Sequence, residues 1–164
     1  MKICLTVKRL EGMAGGAERV LTTVANGFAE RGHRVSLLSF DRPEAESFYP
    51  LHQDVTWIKK LIGDSNRPAS PRDILQRARE TRRVVNGLQP DLVISFMHSS
   101  FIPTALALIG TGIRLIGSEH IVAAHYKNRP LDLLLYMAIS FCISRITVLS
   151  ARAKAGFPYL IRRK

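Results

Sequence analysis

The residues best equipped for chemistry stand where apolar runs give way to polar ones. Residues 117–120 read GSEH and leave an apolar run with three polar side chains in succession. The His120 imidazole titrates near neutrality and can donate to a sugar hydroxyl or a phosphate, which makes it the first catalytic candidate. It could also cap or brace a loop. Glu119 could orient that ring, or pair with an arginine in a purely structural role. Ser118 completes the polar step. A second knot, residues 97–100 (MHSS), follows the run PDLVISF. His98 with Ser99 and Ser100 reads first as the cap of the next helix, and second as a set of ligand contacts. Ser150 follows a third such run.

The stretch 10–21, LEGMAGGAERVL, lies between a strand-like run (KICLTV) and a helix-like spacing at Val20, Leu21, Val24 and Phe28. Gly15 and Gly16 lack a Cβ, so left-handed angles and a close ligand are both open to them. The first amides of the following helix, with its dipole, favour an anion. A phosphate is the natural occupant, although glycines also end strands for steric reasons. The spacing matches neither G-x-G-x-x-G nor G-x-x-x-x-G-K-[ST], so this bend is not a self-sufficient nucleotide site. Glu18 falls in the first helical turn, where the dipole alone accounts for an acidic residue; an acceptor or ribose contact is the functional reading. The chain has no G-x-S-x-G, no H-E-x-x-H and no DxD-like acidic pair, and two isolated cysteines make no zinc site. Neither a self-contained hydrolase nor a metalloenzyme is expected, and no metal or cofactor is called for.

The elements that must position these residues alternate. Strands are expected at 2–7, 34–40, 55–59, 90–96, 113–117 and 145–149. Helices are expected at 16–31, closed by Gly32, at 71–88, at about 101–109 and at 131–143. Ser70 and Pro71 read as the N-cap and first position of the second helix. One face of that helix carries Ile74, Ala78, Val85 and Leu88, and another carries Arg72, Arg79 and Arg83, either as a plain solvated face or as a surface for anionic lipid. Residues 41–53 and 63–70 read as loops, the latter mobile with Arg67 at its tip. Strand and helix in alternation predict an α/β fold: a Rossmann-like, open, mainly parallel sheet flanked by helices. The carboxyl ends of such strands line the ligand crevice, so Gly15, His98, His120 and Ser150 are expected to converge there.

With 164 residues the chain makes one domain. Its 24 Lys and Arg against 13 Asp and Glu give a net charge of +11, which suits an anionic membrane, a polyanionic substrate or nucleic acid. Few clustered aromatics and no reading motif argue against specific nucleic-acid binding. Cys4 and Cys142 lie in apolar runs and are expected as buried thiols in a reducing cytoplasm. No secretory signal is visible, and the longest apolar run, residues 133–143, is too short to span a bilayer and reads first as a buried helix, with shallow contact with a membrane as the alternative. The tail, residues 151–164, has five basic residues, no acidic one and no strong helical period, as at a cut end.

Taken together, GGAERVL at 15–21, RGH at 31–33 before a strand, PDLVIS at 90–95, SEH at 118–120 and TVLS at 147–150 carry a resemblance. The chain resembles, over almost its whole length, the N-terminal domain of family 4 retaining glycosyltransferases of the GT-B fold, bacterial enzymes that build lipopolysaccharide, capsule and lipid-linked oligosaccharides. The resemblance implies half of a GT-B fold, with this domain binding a glycan or glycolipid acceptor and a second domain binding the nucleotide-sugar donor. It further implies that Gly15 and Gly16 approach the donor diphosphate and that His120 contacts the transferred sugar. Transfer would proceed with retention and without a metal, the nucleotide sugar serving as co-substrate. The donor half carries an E-x7-E motif in such enzymes, yet no Glu follows Glu119 here. The expectation is an excised, truncated or split protein, inactive alone, cytoplasmic and in peripheral contact with the inner face of the membrane. The alternative is a non-catalytic module that binds anionic glycolipid or a membrane surface.

Overall fold

Strand β1 (Lys2–Thr6) sends Ile3 and Leu5 to one face of the sheet and Cys4 to the other. Both faces are covered, which is why the run carries no charge after Lys2. The same two-sided division recurs in β2 (Arg34–Ser39), where Val35 and Leu37 oppose Leu38, and in β4 (Leu92–Phe96), where Ile94 and Phe96 oppose Val93. With β3 (Val55–Lys59), β5 (Arg114–Glu119) and β6 (Arg145–Val148) these form one sheet in the order β3-β2-β1-β4-β5-β6, every pair parallel. The computed structural model describes residues 1–64, 68–127 and 129–164. Arg67 lies outside the described residues.

Helix α1 (Gly16–Glu30) packs Leu21, Ala25 and Ala29 on one side of the sheet. On the other side lie α2 (Pro71–Leu88), α3 (His98–Leu108) and α4 (Pro130–Ser140), contributing Val85, Phe101, Ile102, Tyr136 and Ile139 to a second core. Under the junction of β1 and β4, three buried hydroxyls satisfy one another: Thr6 Oγ1 lies 2.8 Å from Ser95 Oγ and 3.0 Å from Thr104 Oγ1. Helix α2 starts where Ser70 and Pro71 place it. The Ser70 side chain accepts from the Asp73 amide while Asp73 accepts from the Ser70 amide.

Several boundaries differ from the sequence reading, each for a local reason. Strand β5 runs two residues further, because Ser118 and Glu119 pair with Thr147 and Val148 of β6. Helix α3 begins at His98 rather than near residue 101, because Met97 takes a left-handed φ of 64° and turns the chain at once. Helix α4 ends at Ser140, and Cys142, expected to be buried, is exposed beyond it; Cys4 is buried. Nor is α4 a buried helix: Tyr136, Ile139 and Ser140 are covered, whereas Leu131, Leu134 and Leu135 are exposed. Only one of its sides faces the sheet. The tail forms two short helices, α5 (Ala151–Ala155) and α6 (Tyr159–Arg162), and buries Phe157 and Ile161 in the core beside Tyr136. Among the described residues no helix is long and apolar enough to cross a membrane.

Candidate functional site: a cationic cleft at the carboxyl ends of the strands

The sheet order reverses between β1 and β4, where the connections leave in opposite directions and open a crevice beyond the carboxyl ends of the strands. A cleft of about 440 Å³ occupies this position. Val7, Lys8 and Arg9 line it from the end of β1, Met97, His98 and Ser99 from the end of β4, and Ile121 from the end of β5. Glu18, His125, Arg129 and Asp132 complete its polar wall.

The bend between β1 and α1 is held from outside the cleft. The buried Asp41 carboxylate accepts the Leu10 amide at 2.8 Å and the Glu11 amide at 3.3 Å, Glu11 is paired with Arg42, and the Tyr49 hydroxyl donates to the Ala14 carbonyl at 3.0 Å. The bend then enters α1 through Gly15, whose angles (φ −79°, ψ 166°) are extended. The left-handed freedom expected at Gly15 and Gly16 is therefore not used; the left-handed glycine of this bend is Gly12, with φ 59°. What the pair supplies is room. A Cβ on Gly15 would collide with the carboxylate of Glu18, which folds back over it and is 5% exposed. A Cβ on Gly16 would meet nothing within 4 Å. Among the described residues no side chain caps α1, so its first amides are open to an anion.

His120 does not line the cleft, whereas its neighbour Ile121 does; its ring is stacked on Phe96 with centroids 5.6 Å apart. Its Nε2 lies 3.0 Å from Ser118 Oγ, which in turn accepts from Thr147 Oγ1 at 3.1 Å. Ser118 keeps both a hydrogen and a second lone pair for Nε2, so either tautomer of a neutral His120 satisfies this contact. Burial holds the His120 pKa below its ordinary value, against the opposing charge of Glu18. Among the described residues Glu119 neither hydrogen-bonds the ring nor pairs with an arginine. Its Oε1 accepts the amides of His120 (2.9 Å) and Ile121 (3.0 Å), and its Oε2 accepts the Tyr126 hydroxyl at 3.0 Å. It therefore positions His120 through the backbone. Burial pushes this carboxyl up to about 7 despite those three hydrogen bonds.

His98 is not a cap. The N-cap of α3 is Met97, no side chain caps that helix, and His98 occupies its first turn. Its ring meets Tyr126 edge-on at 5.2 Å and His125 at 5.7 Å, and its Nδ1 is buried with no hydrogen-bond partner among the described residues. Burial, reinforced by His125, lowers its pKa to about 4. Ser99 lines the cleft beside it, while Ser100 is buried. Ser150 does not join the site: it is exposed and accepts from the Ala153 amide at 3.1 Å as the cap of α5.

The structure also brings in residues that the sequence reading did not select. Lys8 and Arg9 follow directly after β1, and the signal was there to read: two adjacent cations at the end of an apolar parallel strand point at the crevice. Burial, with Arg77 and Arg9 nearby, depresses the Lys8 pKa. His125, Arg129 and Asp132 come from the connection between β5 and α4, with 3.8 Å between Arg129 Nη1 and Asp132 Oδ2. The result is a cleft whose cations exceed its carboxylates, suited to an anionic ligand.

Residues 14–156 match the family model of Glycosyltransferase Family 4. The chain belongs to glycosyltransferase family 4. A relative from Campylobacter jejuni, GalNAc-alpha-(1->4)-GalNAc-alpha-(1->3)-diNAcBac-PP-undecaprenol alpha-1,4-N-acetyl-D-galactosaminyltransferase, is 30% identical over 99% of this chain and 44% of its own length. Among solved structures, sucrose-phosphate synthase from Thermosynechococcus elongatus superposes with a TM-score of 0.78 at 12% identity, over 94% of this chain and 43% of that one. The lipopolysaccharide outer core galactosyltransferase WaaB superposes at 0.67 with 16% identity, over 95% and 41%. The fold is thus the Rossmann-like domain of GT-B glycosyltransferases, and the chain spans about two-fifths of the relatives it matches.

Proposed function

We propose that this chain is the acceptor-side domain of a glycosyltransferase that moves a sugar from a nucleotide-sugar donor to a lipid-linked saccharide or lipopolysaccharide acceptor. The observation that carries the reading is the cationic cleft at the sheet reversal, with the open backbone at Gly16 and the braced imidazole of His120 beside it in a family 4 chain. The Campylobacter relative, whose name specifies a diphosphate-linked undecaprenol acceptor, supports the acceptor class.

In this reading a second domain binds the nucleotide and presents its diphosphate to the uncapped start of α1. Gly16 lets the diphosphate approach the backbone, and Lys8 and Arg9 stabilise its charge. In the tautomer whose Nε2 accepts from Ser118, His120 is free to donate from Nδ1 to the transferred sugar or the departing phosphate. Same-face attack assisted by that phosphate retains the anomeric configuration and requires no protein nucleophile, metal or cofactor. Positioning and charge stabilisation supply the rate.

The test uses the complete two-domain enzyme with a panel of nucleotide sugars and a polyprenyl-diphosphate oligosaccharide. His120→Ala should lower kcat by about 10²-fold or more while unfolding at an unchanged temperature. Wild-type turnover in His120→Ala would remove the residue from the reaction, and absence of transfer from every nucleotide sugar would remove the function. The 164-residue chain alone should show no transfer.

A further inference from the structure

Glu18 and Asp132 both carry a carboxylate into the wall of the cleft, and the two are kept differently. Asp132 is partly exposed and lies 3.8 Å from Arg129 Nη1. Glu18 is 5% exposed, with its carboxylate folded back over Gly15 at the start of α1. Thr22 Oγ1 donates to the Glu18 backbone carbonyl at 3.0 Å, but among the described residues the carboxylate itself has neither a hydrogen bond nor an ion pair. The helix dipole explains an acidic residue in this turn. It does not explain withdrawing the charge from water, because a carboxylate buried without donors is costly and occurs where something else completes it.

Where the carboxylate stands identifies the ligand that completes it. The uncapped amides at the start of α1 attract an anion, and Glu18 sits in that same first turn. A bare phosphate or diphosphate arriving there sets like charges against one another in a place shielded from water, where the repulsion is strong. A diphosphate ester whose adjoining sugar turns a hydroxyl to Glu18 gains a charge-assisted hydrogen bond that offsets the repulsion. Lys8 and Arg9, in the wall of the cleft, attract both kinds of anion and do not tell them apart. The charge of Glu18 also reaches His120, which the proposed reaction sets against the transferred sugar.

We infer that Glu18 is a specificity-determining residue, whose carboxylate rejects bare phosphate and diphosphate at the start of α1 and admits a sugar-bearing diphosphate through a hydroxyl of that sugar. Selection of this kind comes from repelling the wrong ligand as much as from holding the right one. After transfer the nucleoside diphosphate no longer carries the sugar, so the carboxylate that admitted the donor repels the product and hastens its release. The inference rests on the reading above, in which a diphosphate meets the start of α1.

The test begins with the isotope-labelled 164-residue chain, titrated with inorganic pyrophosphate in the absence of divalent metal and followed at the amide resonances of Gly16 and Ala17. Glu18→Gln should bind pyrophosphate there about tenfold more tightly than wild type. Gly16→Val added to Glu18→Gln should abolish the gain, and Glu18→Asp, which keeps the charge, should reject pyrophosphate as the wild type does. In the complete enzyme Glu18→Gln should move two constants in opposite directions: the nucleoside diphosphate product should inhibit about tenfold more strongly, while kcat/KM for the nucleotide sugar should fall about fivefold. Because the carboxylate has no partner to lose, the unfolding temperature of Glu18→Gln should not fall below that of wild type. The inference is overturned if pyrophosphate binds wild type and Glu18→Gln equally or binds neither, if product and donor affinities change in the same direction, or if a lowered unfolding temperature accompanies weaker binding of both. Absence of turnover with every nucleotide sugar would instead remove the proposed function, and a gain in pyrophosphate affinity in Glu18→Gln would still show the carboxylate guarding the start of α1.

Discussion

Among the described residues helices α1, α3, α4 and α6 begin without a side-chain cap, and of these α1 and α3 follow β1 and β4, the two strands between which the sheet order reverses. Helices α2 and α5 begin on Ser70 and Ser150, whose side chains accept a backbone amide of the first turn. The contrast is between two helix starts satisfied by their own serine and two left without such a bond at the sheet reversal. An uncapped start forfeits local stability, and such departures from local rules concentrate where a ligand completes the structure. At α1 the open start is paired with Gly16 and at α3 with the left-handed joint at Met97, so the backbone itself has been arranged to present those ends.

The largest effect should come from closing an open start. Gly16→Val places a branched side chain where nothing lies within 4 Å, so this domain should fold and melt as before. In the complete enzyme the same branch would occupy the path of the donor diphosphate, and kcat/KM should fall by about 10²-fold or more. Steady-state kinetics alongside thermal unfolding checks both halves; undiminished kcat/KM would mean that the α1 start is open for some reason other than a ligand.

A second, intermediate effect concerns the buried titrating groups behind the two cleft-lining loops. His98, at the start of α3, has a folded pKa of about 4 against an ordinary 6.5, so the unfolded chain binds its proton first and stability is lost as pH falls through this window. Glu119, with a folded pKa of about 7 against an ordinary 4.5, has the opposite sign: the folded state holds the extra proton, and stability is lost as pH rises from about 4.5 to 7. Each slope approaches about 1.4 kcal/mol per pH unit, and where the windows overlap they cancel. Glu119→Gln keeps an acceptor for the amides of His120 and Ile121, so it removes the titration with the least loss of bonding. Its stability should rise from pH 4.5 to 7 by roughly 2 kcal/mol more than that of the wild type, and His98→Gln should deviate in the other direction. Parallel denaturant titrations across that range would show both, and two parallel profiles would refute the assignment.

The open and the capped helix starts were unequally legible in the sequence. Ser70 and Pro71 mark α2 because a cap is a local device, and the helix runs between the expected residues, 71 to 88. The strands read well for the same reason, as apolar runs whose charges fall at their ends, with turns between them. Gly15 and Gly16 stood out by composition, but the mechanism differs: they leave space rather than bend the chain, and the carboxylate crowding Gly15 is the chain's own Glu18. The start of α3 could not be read, since no residue type announces a left-handed methionine, and the true role of His98 depends on it. Lys8, Arg9, His125 and Arg129 come together only once strand order is known, because β4 and β5 must lie beside β1 for their loops to meet. The outward leucines of α4 were misread because hydropathy reports what a side chain is, and burial depends on which elements stand opposite.

The smallest effect probes the capped side of the comparison. Ser70→Ala removes the acceptor for the Asp73 amide at 3.2 Å and leaves the reciprocal bond from the Ser70 amide to Asp73 without its counterpart. Losing the serine half of such a box should lower stability by about 1 kcal/mol, or roughly 3 °C in Tm for a domain of this size. Ala69 and Ile74 beside it line the cleft, but the Ser70 hydroxyl is not part of that lining and is engaged by the Asp73 amide, so kcat/KM of the complete enzyme should stay within about twofold of wild type at a temperature well below Tm. Ser70→Asp, which restores an acceptor and adds a charge that the dipole favours, should return the lost stability. If Ser70→Ala instead lowered turnover as Gly16→Val does, with Tm unchanged, the capped and open starts would be serving the cleft alike and the distinction between them would fail.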